Sequence, residues 1–155
     1  MTVLQDNSDI NMKKVLFVCT GNTCRSPMAE ALFNSIANKS CLGFKASSCG
    51  LCADNACISE NAKKALLEKG LDFEHNSCNI DEKMVQEADY VFGITKRHAS
   101  AVISMFPEYA HKVFAFPEDI SDPFGCDLQL YRNCRDEIEN GINGILKALT
   151  EKNDG

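Results

Sequence analysis

The chain of 155 residues contains no tryptophan, no run of Lys or Arg longer than a pair, and no apolar stretch near the 18 residues that a membrane-spanning helix needs. Its 16 basic against 22 acidic residues leave a formal net charge of −6. That balance argues against non-specific nucleic-acid binding. The first twelve residues lack the apolar centre of a secretory signal. The expectation is therefore a cytoplasmic protein with no nucleic-acid partner and no membrane association. Residues 1–12 are polar and unpatterned and read as a flexible N-terminal extension. Residues 13–152 read as one domain, because a chain that is 45% hydrophobic at this length can bury a core of its own.

Cysteine is abundant instead. There are nine, an odd number, and with no export signal they do not read as a disulfide framework. Cys49-Gly50-Leu51-Cys52, Cys57, His75 and Cys78 offer zinc-ligand types at short spacing. Against that reading, Phe44 to Cys49 reads as a strand ending at Gly50, which makes Cys49 a core residue. No metal and no cofactor is expected. The three histidines, His75, His98 and His111, are scattered and read as surface or capping residues.

Strand and helix patterns alternate along the chain. Strands are expected at Lys14 to Val18, Gly43 to Cys49, Tyr90 to Ile94 and Lys112 to Phe116. Helices are expected from Pro27 to about Asn38, from Ser59 to Lys69 ending at Gly70, as a short turn capped by Asp81, and from Arg97 to Met105. A last helix carries Tyr131, Cys134, Ile138, Ile142, Ile145 and Leu149 in steps of three and four. Such alternation implies an α/β fold, a single-domain three-layer sandwich with a central four-stranded parallel sheet and helices on both faces. Ligands of such sheets bind beyond the carboxyl ends of the strands.

The loop after the first strand, Cys19-Thr20-Gly21-Asn22-Thr23-Cys24-Arg25-Ser26-Pro27, lies at that edge. Ser26 is a favoured N-cap and Pro27 suits the first helical position. Gly21 and Asn22 tolerate the backbone angles that turn successive N–H groups inward, so the loop and the helix N-terminus together form an anion cradle. Cys19 stands at the start of the cradle, where a helix dipole and the Arg25 guanidinium are expected to hold its thiol below the free value. Arg25 offers a fixed fork of donors matching two phosphoryl oxygens. Cys24, five positions after Cys19, is open to two readings: a partner in a reversible disulfide with Cys19, or a buried packing thiol.

Cys19 to Glu30 resembles the signature loop of the low-molecular-weight protein tyrosine phosphatases, most closely their bacterial protein arginine phosphatase branch. The resemblance runs from about Met12 to the last helix and makes residues 13–152 a phosphatase domain. It implies Cys19 as a nucleophile that becomes phosphorylated, Arg25 as the phosphate clamp, Asn22 as a loop organiser, and Ser26 as a hydroxyl supporting the thiolate. Thr20, Gly21, Asn22, Thr23, Cys24 and Ser26 then contact the substrate. Asp122 in Asp122-Pro123 lies past the fourth strand in a loop stiffened by proline, and on spacing alone reads more readily as a turn residue. The resemblance makes it the general acid, with Asp119 as the fallback.

The substrate implied is a phosphorylated protein. Tyrosine-specific members carry a bulky aliphatic residue where this chain has Thr23, and aromatic walls that it lacks. Phe124 is the one evident aromatic wall. A guanidinium needs one face to stack on and a nearby carboxylate such as Asp122, which favours phosphoarginine over phosphotyrosine. An arsenate reductase needs further closely spaced cysteines, whereas none follows Cys78 until Cys126. A non-catalytic phosphate-binding module needs neither Cys19 nor Asp122.

Overall fold

The computed structural model describes residues 12–154. The expected extension lies outside the described residues except for Met12. Four strands form one parallel sheet: β1 (Lys13–Cys19), β2 (Phe44–Gly50), β3 (Tyr90–Gly93) and β4 (Val113–Ala115), in the order β2-β1-β3-β4. The helices are α1 (Arg25–Lys39), α2 (Glu60–Leu67), α3 (Glu82–Glu87), α4 (Lys96–Met105) and α5 (Leu128–Asp154).

Side chains alternate along β1, so its apolar run feeds two cores. Val15, Phe17 and Cys19 face α1, α2 and α5, while Leu16 and Val18 face Val85 of α3 and Ala99 and Val102 of α4. Phe17 is fully buried, with ring centroids 5.5 Å from Phe33 and 5.8 Å from Phe116, both edge-on. The apolar stripe of α5 is buried at every expected position from Tyr131 to Leu149. Leu67 of α2 is 48% exposed, because it falls just beyond the buried stripe of Ala62, Ala65 and Leu66. Among the described residues no helix is long and apolar enough to cross a membrane.

The chain leaves β1 toward β2 on one side and later returns to β3 on the other. The two directions part at the carboxyl end of β1, where Cys19 sits, and such a parting point opens a crevice. Gly93 lets α4 approach this edge: a Cβ there would collide with the Ala99 backbone nitrogen. Thr95 caps α4 by accepting from the His98 N–H, and the Asp119 carboxylate accepts from the Lys96 N–H at 2.9 Å. Asp119, the fallback acid, is thus engaged at a helix terminus.

Candidate active site

Residues Cys19 to Arg25 line one side of a cavity of about 220 Å³, and Asp122 and Phe124 line the other. The loop's shape has a backbone cause. Its outward carbonyls are taken by the neighbouring segment, Leu51 N–H donating to Cys19 O and Cys52 N–H to Thr20 O, each at 2.9 Å. Asn22 adopts a left-handed φ of 57°, which turns its own N–H back onto Cys19 Sγ at 3.3 Å. Gly50 supplies the room: a Cβ there would lie 2.6 Å from Thr20 O. Gly50→Ala is expected to destabilise the protein by about 1–3 kcal/mol, the usual cost of overpacking, read as a lower urea midpoint. An unchanged midpoint would show that the loop yields freely.

Helix α1 begins two residues earlier than Pro27. Cys24 occupies the N-cap without a side-chain capping bond, so Ser26 is not the cap expected from its residue type. Its hydroxyl has another use, 2.8 Å from Cys19 Sγ. The direction of the bonding follows from Asn22. Asn22 Oδ1 accepts from the Cys78 N–H at 3.1 Å, so Nδ2 is the donating end and reaches Ser26 Oγ at 2.8 Å and Ser48 Oγ at 3.0 Å. Ser48 then donates to Glu30 at 2.7 Å, and Ser26, which accepts from Asn22, has its own proton free for Cys19 Sγ at 2.8 Å or for Cys49 O at 3.5 Å.

Two of the three histidines are not surface residues. His98 is 3% exposed and places Nε2 2.9 Å from Thr20 Oγ1. Burial, reinforced by the charge of Arg25, lowers its pKa to about 4, so the ring is neutral at neutral pH. His75 is half-buried and donates through Nε2 to Asn22 Oδ1 at 2.8 Å, with the Phe73 ring stacked on it. Only His111 is exposed. Chain folding carried the other two from 53 and 78 residues away in sequence, and local pattern holds no trace of that.

The Cys19 thiol departs from expectation as well. It is 3% exposed, and burial, the largest influence, pushes its pKa up. Ser26, the Asn22 N–H and the Arg25 charge pull the other way without reversing the direction.

Arg25 is buried and spans the cavity, its Nη1 donating to Ile120 O at 2.9 Å and its Nη2 lying 3.6 Å from Asp122 Oδ2. Asp122 and Phe124 are exposed, Phe124 by 73%. Cys24 lies with Sγ 3.2 Å from the Tyr131 hydroxyl and 3.4 Å from that of Ser59, and all nine cysteines are free thiols. The structure thus gathers Cys19, Thr20, Gly21, Asn22, Thr23, Cys24, Arg25, Asp122 and Phe124 around one cavity, while Ser26 is buried outside its lining. Sequence reading missed Glu30, Ser48, His75 and His98. For Glu30 a signal existed: it lies four positions after Ser26, on the same helix face. Among the described residues, no three His, Cys, Asp or Glu side chains converge as a metal would require.

The family model described as low molecular weight phosphotyrosine protein phosphatase matches residues 14–154. A protein-arginine-phosphatase of Bacillus subtilis is 40% identical over 143 residues, covering 87% of this chain and 95% of its own length. The solved YwlE arginine phosphatase of Geobacillus stearothermophilus superposes with a TM-score of 0.83 at 36% identity, covering 90% of this chain and 94% of that one. A cysteine-to-serine mutant of YwlE arginine phosphatase with a phosphorylated active-site serine superposes at 0.85 with 38% identity, covering 88% and 95%. The match in sequence across nearly the whole length, joined to the same fold, means that this chain belongs to the low molecular weight phosphotyrosine protein phosphatase family.

Proposed function

We propose that this protein is a cysteine-dependent phosphatase acting on phosphorylated proteins through a phosphocysteine intermediate, with phosphoarginine as its substrate and residues 13–152 as its phosphatase domain. The observation that carries the reading is Cys19 Sγ at the wall of a cavity lined by the inward loop, Arg25 and Asp122.

The phosphoryl oxygens bind the loop N–H groups and the Arg25 fork, which leaves its 3.6 Å contact with Asp122 to do so. Cys19 gives its proton to solvent or to a phosphoryl oxygen, the sulfur attacks phosphorus, and the bond to the leaving group breaks. Asp122 in its acid form gives that group a proton, then as a carboxylate takes one from the water that attacks phosphocysteine and releases inorganic phosphate. When Cys19 leaves as thiolate, Ser26 O–H and Asn22 N–H are placed to receive its charge.

The arginine assignment is supported by the similarity to proteins named as arginine phosphatases, by the polar Thr23 in the lining, and by the exposed Phe124 ring beside Asp122. A planar guanidinium can stack on Phe124 and pair with Asp122, and Thr23 can bond a nitrogen of the same group. Wild-type protein is expected to hydrolyse para-nitrophenyl phosphate without added thiol or metal, which separates a phosphatase from a reductase or a binding module. Thr23→Ile is expected to lower the ratio of phosphoarginine to phosphotyrosine kcat/KM by about tenfold or more, since an unpaired polar group costs roughly 1–3 kcal/mol and each 1.4 kcal/mol is a factor of ten. An unchanged ratio, or a wild type that prefers phosphotyrosine, would overturn the arginine reading in favour of the tyrosine one.

A further inference from the structure

We infer that His98 is a positioning residue for the phosphate cradle: by holding the side chain of Thr20 it keeps the first half of the loop shaped around a phosphoryl group. The inference rests on the cradle reading above and adds a residue far from the loop in sequence.

Thr20 directly follows Cys19 and starts the turn that presents the N–H groups of the loop. Its carbonyl is tied to Cys52 N–H at 2.9 Å, and its hydroxyl lies 2.9 Å from His98 Nε2. The residue is therefore held from both ends. Without the imidazole the exposed hydroxyl would rotate freely at the cavity wall that Thr20 helps form, and the ordering cost would fall on phosphate binding instead.

The imidazole itself is fixed from behind. Nδ1 lies 3.0 Å from Thr95 Oγ1, the same hydroxyl that accepts the His98 N–H and caps α4. Asp119 ties the first N–H of that helix, and the bare Cα of Gly93 lets the helix pack against the sheet edge. The ring thus transmits the position of α4 to the loop through both nitrogens. A buried imidazole costs desolvation that an apolar side chain at the same place would avoid, so its polar contacts are what the position requires. The charged groups facing it are Arg25 on α1, Arg97 on α4, and Asp119 and Asp122 in the loop after β4. A neutral ring suits that setting, because a charged one would add a second cation beside Arg25.

The test is a double-mutant cycle read by inorganic phosphate affinity, with para-nitrophenyl phosphate kinetics alongside. Thr20→Val removes the hydroxyl but keeps the branched shape at an exposed position, so it leaves the core intact. Thr20→Val and His98→Phe are each expected to weaken phosphate binding about fivefold, the net worth of one hydrogen bond, and the double variant no more than either alone. His98→Gln, which can still reach the hydroxyl, is expected to recover most of the loss. KM should rise more than kcat falls. The inference is overturned if Thr20→Val binds phosphate like wild type, if the two losses add, or if His98→Phe lowers only the melting temperature. Phosphate binding is independent of turnover, so a wild type that binds phosphate but hydrolyses nothing would defeat the phosphatase reading and leave the His98 cycle decisive.

Discussion

Cys19→Ser is expected to bring turnover of para-nitrophenyl phosphate below detection while inorganic phosphate still binds. Among the described residues the polar contacts of the sulfur are a hydroxyl and a backbone N–H, both donors to a charged sulfur and neither a base. The nucleophile must therefore lose its proton to solvent or to substrate, which a thiol does far more readily than an alcohol. The Arg25 fork and the loop N–H groups are untouched by the change, so affinity for phosphate should persist. The solved relative with a phosphorylated serine in place of a cysteine suggests a second readout. After prolonged incubation with substrate, the variant should gain the mass of one phosphoryl group and keep it, because an alkoxide is a much poorer leaving group than a thiolate. Near wild-type activity would remove Cys19 from the mechanism.

Asp122→Asn is expected to slow the reaction by about 10²–10⁴-fold, the usual contribution of a positioned acid and base. The loss should be largest on phosphoarginine, whose leaving nitrogen needs a proton, and smaller with para-nitrophenyl phosphate, whose phenolate leaves readily without one. Part of the effect will appear in KM, since Asp122 also lies 3.6 Å from Arg25 and Asn would change the charge that the guanidinium meets. Asp119→Asn is the control. Its carboxylate is engaged with Lys96 N–H at the start of α4, so the rate should change little and stability slightly. A large rate loss in Asp119→Asn with little in Asp122→Asn would reverse the assignment.

The strands and helices were legible because apolar periodicity is a local property. Val15 to Val18 is apolar on every residue, as a strand buried on both faces must be, and the stripe on α5 repeats at helical spacing along most of its length. Boundaries shifted by a residue or two where a side chain had a stronger use than its local preference. Ser26 is a good cap by type, but its hydroxyl is drawn to Cys19 and Asn22, so the helix starts at Arg25 with Cys24 at the N-cap. The same limit explains the thiol. Proximity to Arg25 along the chain is readable and favours the anion, whereas burial of the sulfur depends on all the elements that close over it, and burial acts more strongly.

By itself the sequence determined the parallel α/β plan, the placing of one loop at the carboxyl edge of the sheet, and the set Cys19, Arg25 and Asp122 as the groups to follow. Asp122 was singled out by the family resemblance, since its spacing alone reads as a turn; the rest rests on a spacing of at most a few residues or on a pattern within one element, and the chain's covalent geometry carries such information directly. Only the tertiary structure decided what lies behind the loop: Ser48 and His75 organising Asn22, Glu30 ending the chain of hydroxyls, Gly50 clearing space for Thr20, and His98 reaching the loop from α4. These contacts join segments 18 to 78 residues apart in sequence. They form because the crossovers return each segment to the same sheet edge, where a buried polar group must find a partner or pay its desolvation.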